Sequence, residues 1–208
     1  MRFGGGWRRI PPRLGHWNSL YRRWRVLVDR GVWGQILGRL ARGRRGKIRF
    51  VDSTYIKVHK DGQGAVGGSL NQCMGITKGG LNSKLTAAVD DNGRIVAIMV
   101  FAGQTSEKEA GMTMAKRLGK CLFVGDKGFD DDELRILVHK LGGLSCIPPR
   151  CNRKDPFPWD ETIYRRRHKV ENFFARIKRH HRIATRSEKL ASTFLALATV
   201  ASIIDWIS

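Results

Sequence analysis

The spacing of apolar residues changes abruptly at Ile48, and this change constrains the fold more than any other feature of the chain. From Ile48 to Val58 the residues alternate and are rich in β-branched and aromatic types, which predicts a strand. Two further strand-like runs, Lys84–Val89 and Arg94–Phe101, flank Asp91-Asn92-Gly93, whose Asn-Gly step signals a hairpin. Helices and short strands then take turns. Ser106 opens a helix with Glu109 at its third position in a capping box, running to about Leu118. Cys121–Val124 reads as a short buried strand ending at Gly125-Asp126. Asp130–Leu141 reads as a helix with acids in its first turn, and Leu144–Ile147 as a strand closed by Pro148-Pro149. A Pro-rich loop runs to Trp159, an amphipathic helix follows, and an apolar helix, Ala191–Ile207, closes the chain. The order βββ-α-β-α-β-α predicts an α/β layered domain with a mixed sheet, not a doubly wound repeat.

Ahead of Ile48 the pattern is helical. Trp17, Leu20, Tyr21, Trp24, Leu27 and Val28 repeat at helical spacing, with Asn18 or Ser19 as cap, and Gly31 separates them from Val32, Trp33, Ile36, Leu37 and Leu40. The pair reads either as a helix–turn–helix with Arg22, Arg23, Arg25 and Arg30 towards DNA or as a plain hairpin with a solvated basic face. Arg42–Lys47 reads as a linker. The expected division is therefore a basic helical segment, 1–46, and a catalytic domain, 47–208.

Charge narrows the partner. The 208 residues carry 39 Lys and Arg against 18 Asp and Glu, a net +21, which points to a polyanion, most commonly nucleic acid. Residues 1–49 hold 14 basic residues and one acid, and residues 150–189 hold 13 against five, whereas 50–149 is nearly balanced at 12 against 11. A near-neutral centre between two basic segments suits DNA wrapped around an active site. The four cysteines lack paired CxxC spacing, which argues against a zinc knuckle or disulfide framework and for a reducing compartment. Met1-Arg2-Phe3-Gly4 does not resemble a signal peptide, and Ala191–Ile207, short and interrupted by Asp205, reads as a buried helix rather than a membrane anchor.

Three acids stand out. Asp52 interrupts an apolar strand, Asp126 ends the fourth strand, and Glu171 lies inside the late helix. An isolated carboxylate costs several kcal/mol to bury unless it is paired or binds a cation. Brought together, three carboxylates can hold hard divalent metals through oxygen, and two metals about 4 Å apart suit phosphoryl transfer. Around Glu171, the residues Tyr164, Arg167 and Lys178 complete a stripe. At about 100° per residue the four point to roughly 0°, 300°, 340° and 320° of one helix, beside an apolar face of Val170, Phe173, Phe174 and Ile177. Such a stripe can hold one metal ligand beside groups that grip a phosphate backbone.

The sequence resembles the DDE transposases of bacterial insertion sequences, of the insertion-sequence-5 type, over nearly all its length. The resemblance rests on Trp7-Arg8-xx-Pro11, Trp17-Asn18-xx-Tyr21-Arg22, Val51-Asp52-Ser53-Thr54, Gly79-Gly80-Leu81-Asn82-Ser83-Lys84 and Gly103-Gln104. It continues through Gly125-Asp126-Lys127-Gly128-Phe129-Asp130, Ile147-Pro148-Pro149-Arg150, Arg165-Arg166-Arg167-His168-xx-Glu171 and Arg182-Ile183-Ala184-Thr185-Arg186. Tyr164, Arg167, Glu171 and Lys178 match the Y-(2)-R-(3)-E-(6)-K signature of that family.

The resemblance implies an RNase H-like core with Asp52, Asp126 and Glu171 as catalytic triad and metal ligands. Asp52 would bridge two Mg²⁺ ions, for which Mn²⁺ can substitute. It further implies cleavage at terminal inverted repeats, attack of the freed 3′-hydroxyl on target DNA, a homo-oligomer in the synaptic complex, and a bacterial cytoplasmic, nucleoid-associated location. Arg167, Lys178, Arg22, Arg23 and Arg182 are expected to contact DNA, with Tyr164 packing or hydrogen bonding at the DNA end. Arg167 has the alternative of orienting Glu171 one turn away. Family members carry a longer stretch before the Trp-Arg-xx-Pro segment, which implies a truncated copy or one frame of a frameshifted product.

Two rival readings remain. A remnant that keeps the fold and binds DNA without cutting it would share every feature above except the reaction. A junction-resolving nuclease would lack use for the Tyr-Arg-Glu-Lys stripe. Gly62-Gln63-Gly64-Ala65-Val66-Gly67 matches a dinucleotide-binding fingerprint by letter, but the glycines that follow deny it the required helix, and it reads instead as a mobile loop near the active site. His180-His181, at a basic helix end, reads as a DNA-facing or solvated pair rather than a metal site, and His59, His139 and His168 share no ligand spacing.

Overall fold

The computed structural model describes residues 5–42 and 47–208. The Arg42–Lys47 linker expectation falls mostly outside the described residues. Two helices, α1 (Trp17–Asp29) and α2 (Val32–Arg42), form the N-terminal hairpin. Neither Asn18 nor Ser19 caps α1, which begins one residue earlier, with His16 at the cap position and no side-chain cap hydrogen bond. Trp7, Tyr21, Trp24 and Trp33 make a chain of ring contacts, with centroids 5.3 to 6.0 Å apart, that holds the first turn of the chain on α1 and α2.

The sheet is built from β1 (Ile48–Val58), β2 (Gly75–Thr77), β3 (Gly80–Val89), β4 (Ile95–Ala102), β5 (Leu122–Val124), β6 (Leu144–Cys146) and β7 (Thr185–Arg186). β3 runs antiparallel to β1 on one side and to β4 on the other, whereas β5 is parallel to β1 and β6 parallel to β5. β2 and β7 are short additions, on β3 and β1 respectively, that the sequence pattern is too brief to announce. The hairpin joining β3 to β4 turns where expected, because Gly93 accepts a φ of 72° that a side chain would resist.

Helices cover both faces of the sheet. On one side α4 (Glu107–Leu118) and α5 (Asp132–Lys140) pack Met114, Ala115, Leu134 and Val138 against Val51, Ala88 and Phe123. On the other, α7 (His168–Ile177) and α9 (Ala191–Ile207) bury Val170, Phe173, Phe174, Phe194 and Leu197 against Phe50, Ile56 and Leu85, and Leu37 of α2 joins this core. Even-numbered β1 residues thus face α7 and odd-numbered ones face α4, the period of two expected of a strand covered on both sides. The apolar C-terminal run is a core helix, and among the described residues no helix is long and apolar enough to cross a membrane.

Local chemistry explains the helix starts. The Ser106 hydroxyl accepts the Glu109 N–H at 3.1 Å, as the capping-box spacing predicts. Ser106→Ala is expected to cost about 1 kcal/mol, read as a lower urea midpoint with an unchanged slope. α5 starts two residues later than expected. Asp131 caps it by accepting from Glu133 N and Leu134 N, while Asp130 is withdrawn into a buried cluster with Arg135 and Arg153.

The late helix differs most from expectation. Instead of one helix carrying the whole stripe there are two, α6 (Glu161–Arg165) and α7, joined at Arg166-Arg167. The N–H groups of Arg166, Arg167, Lys169 and Val170 each bond the carbonyl three residues back, a tightened turn that interrupts the α-helical ladder. Tyr164 therefore lies on α6, Arg167 at the start of α7, Glu171 in its first turn, and Lys178 just past its end. Two more one-turn helices, α3 (Gly68–Asn71) and α8 (His181–Ala184), complete the set of labelled elements. The Gly-rich loop ahead of α3 follows β1, and Gly62 lies close to Val58, Arg186 and Ser187.

Candidate active site

Asp52 lies at the middle of β1 with its side chain towards α7. Its Oδ1 accepts the Ser53 N–H at 2.8 Å, and its Oδ2 faces Arg167 at 3.1 Å. The same guanidinium reaches Glu171 Oε1 at 2.5 Å, so one cation ties together two acids carried by β1 and α7. Arg167 also lies over the Tyr164 ring, 5.6 Å from its centroid, and Tyr164 in turn meets Trp159 edge-on at 5.1 Å. Arg167 thus makes the contact to Glu171, one turn on, that an orienting role needs. Asp126 follows β5, and its Oδ1 accepts the Gly128 N–H at 2.9 Å, which turns the chain back into the short helical turn Lys127–Phe129.

The electrostatics of Asp52 follow from this crowding. Burial first, then the charges of Asp126 and Glu171, push its carboxyl up from 3.8 to about 6, against the opposing Ser53 N–H and Arg167. Arg167 is desolvated, yet Asp52 and Glu171 outweigh that and raise its affinity for the proton. Lys178 donates to the Thr54 hydroxyl at 2.5 Å, and burial pulls its ammonium below the ordinary lysine value.

A raised carboxyl makes folding bind a proton. Wild-type stability from this group is full below pH 3.8 and is lost as pH rises through about 6, a swing on the order of 2–3 kcal/mol. Asp52→Asn removes the titration. Its advantage over wild type is expected to grow from near zero at pH 4 to that amount at pH 8, measured by urea unfolding in metal-free buffer.

The remaining expected DNA contacts are dispersed. Arg22 and Arg23 are exposed on α1, and Arg182 on α8 faces the buried Glu188 at 3.0 Å. Cys121 and Cys146 are buried, Cys73 half-buried and Cys151 exposed, all with free thiols. Among the described residues no group of three or more His, Cys, Asp or Glu side chains is assembled closely enough to hold a metal ion. The donor set nevertheless suits a hard cation. Asp52 feels two other carboxylates at once, and a guanidinium already stands between Asp52 and Glu171 where positive charge is needed. Glu107 is a residue that pattern reading missed. It sits one position past the cap of α4, and its carboxylate reaches Ser53, the residue after Asp52, at 2.7 Å.

Asp52 on β1, Asp126 just past the parallel strand β5 and Glu171 on the covering helix α7 mark the candidate site, and comparison with known proteins supplies the class. The family model described as Transposase DDE domain matches residues 43–206, and the chain belongs to this family of insertion-sequence DDE transposases. It is similar to a Brucella ovis protein named "Putative transposase for insertion sequence element IS6501", 28% identical over 129 residues, which are 61% of this chain and 99% of the relative. A Sinorhizobium fredii protein named "Uncharacterized protein y4sN" is 36% identical over 64 residues, 31% of this chain and 51% of that one. No solved structure matches.

Proposed function

We propose that the chain cleaves DNA at the terminal inverted repeats of its element and joins the freed 3′-hydroxyl ends to target DNA, with Asp52, Asp126 and Glu171 as the catalytic acids. The observation that carries this reading is the Arg167 guanidinium shared by Asp52 and Glu171, which brings acids from distant parts of the chain to one place. The sheet supports it. The order β4-β3-β1-β5-β6, antiparallel through β4, β3 and β1 and parallel from β1 through β6, is consistent with the RNase H-like core that the resemblance implies.

Divalent metal, Mg²⁺ by preference and Mn²⁺ as substitute, would be held by Asp52, Asp126 and Glu171 and would supply activation of the attacking oxygen and stabilisation of the leaving one. The residues around the acids do the rest. Ser53 N–H fixes one oxygen of Asp52, and the Asp126 turn is set by Gly128 N–H. Arg167 holds Glu171 beside Asp52, and release of this pair frees both carboxylates and leaves a cation for a phosphate. Lys178, anchored on Thr54 two residues from Asp52, is placed for a second phosphate contact. Arg22 and Arg23 add non-specific affinity for duplex DNA, which falls with salt. A second copy of the chain completes the synaptic complex.

Strand cleavage of duplex DNA bearing the element's terminal repeats, with Mg²⁺, tests the proposal. Cutting at the repeat ends supports it. Tight binding without cutting identifies a DNA-binding remnant, and cutting of branched DNA without end specificity identifies a junction nuclease.

A further inference from the structure

On the α4 face of the sheet, opposite Arg167, lies a polar cluster that the reaction as described does not use. Lys84, only 2% exposed, donates to Glu107 Oε1 at 2.8 Å and to the Thr105 carbonyl. The second oxygen of Glu107 accepts the Ser53 hydroxyl at 2.7 Å, and that hydroxyl also meets Thr86 Oγ1 at 2.9 Å. Ser53 thus touches two carboxylates, Glu107 through its side chain and Asp52 through its N–H. Glu107 also lies near the other acid-bearing segment. A β-carbon added at Gly128 would lie 3.3 Å from Glu107 Cγ and 2.9 Å from Asp126 Oδ1, so both side chains close on the same point.

We infer that Glu107 is a positioning residue of the catalytic centre, a fourth carboxylate that sets the spacing between the Asp52 strand and the Asp126 turn. This rests on the function proposed above. The chain must desolvate a lysine and a glutamate to build the cluster, and a hydrophobic pair of similar volume would cover this part of the sheet without that cost. What the ion pair adds is direction. Lys84 fixes one oxygen of Glu107, which leaves the other aimed at Ser53 and the Cγ beside the open side of Gly128, where a β-carbon would meet it. Outer groups that orient metal-binding carboxylates typically change metal affinity or activity by 10- to 100-fold when removed.

The test uses the full chain, with Mn²⁺ binding followed by electron paramagnetic resonance and repeat-end cleavage followed by rate. Asp52→Asn and Glu107→Gln are compared with wild type after each is shown to unfold cooperatively. Glu107→Gln is expected to weaken Mn²⁺ binding at least about tenfold and lower kcat by a similar factor, with KM for DNA unchanged. A loss of stability alone would move neither Mn²⁺ affinity nor kcat of the folded protein. Wild-type Mn²⁺ affinity and kcat in Glu107→Gln, while Asp52→Asn loses both, would overturn the positioning role and leave the proposed function standing. Undiminished Mn²⁺ binding and cleavage in Asp52→Asn would overturn the function itself. If Glu107→Gln fails to fold, Ser53→Ala removes only the hydroxyl that joins Glu107 to β1. A drop in its Mn²⁺ affinity supports the inference, and an unchanged affinity refutes it.

Discussion

Asp126→Asn is expected to lower the rate of repeat-end cleavage by roughly a thousandfold or more while leaving the melting temperature nearly unchanged. The size follows from losing one anionic ligand, since several kcal/mol of transition-state stabilisation converts at about 1.4 kcal/mol per tenfold in rate. The asparagine Oδ1 still accepts the Gly128 N–H that Asp126 now holds at 2.9 Å, so the turn survives. Asp126→Ala removes both functions and should cost about 1 kcal/mol of stability in addition. A single-turnover cleavage assay run beside thermal unfolding separates the two effects. An Asp126→Asn protein that cuts at the wild-type rate would remove this acid from the reaction.

The largest expected loss of stability comes from Arg186, far from the acids. Arg186 is fully buried, donates to Ser83 Oγ at 2.6 Å and to the Glu188 carbonyl at 2.9 Å, and lies 5.1 Å over the Phe194 ring. Weaker bonds run to the Cys73 and Lys189 carbonyls. It joins β7, β3, the segment before β2, and α9 in one contact set. Burial pulls its guanidinium down to about 10, which still leaves it charged at neutral pH. Arg186→Ala strands several buried acceptors and opens a cavity, and is expected to cost about 3–5 kcal/mol. For a chain of this size that lowers Tm by more than about 6 °C. Arg186→Lys should recover little, because an ammonium cannot match the forked set of acceptors. A wild-type Tm in Arg186→Ala would show that the network contributes no stability.

Much of the scaffold could be read from residue order because it rests on local rules. β1 spans Ile48–Val58 as its alternation predicts, the Asn-Gly turn joins β3 and β4, and Ser106 caps α4. Its shortness and Asp205 also separated the core helix α9 from a membrane span. Boundaries failed where tertiary contacts compete with local preference. Asp130 satisfies the helix-start pattern, yet two arginines and the Arg150 N–H draw its carboxylate inward and leave the cap to Asp131. The turn at Arg166-Arg167 carries no glycine or proline, so nothing local marked the break between α6 and α7. Arg166 there reaches Asp91 in the distant hairpin while Arg167 reaches Asp52, and both pulls lie outside any short window of sequence.

The amino-acid order alone was enough to place the main strands and helices, to single out three acids as candidates, and to show a net charge of +21 that suits a polyanionic partner. Propensity, period and charge act over a few residues or sum over all of them, and both kinds of information survive in one dimension. Tertiary structure decided that Arg167 occupies the space between Asp52 and Glu171, that Glu107 backs Ser53, and that Arg186 is an anchor of the core rather than a surface cation. Each of these outcomes depends on which desolvated donor finds which acceptor across tens of residues, and such pairing is settled only when the sheet and its covering helices close.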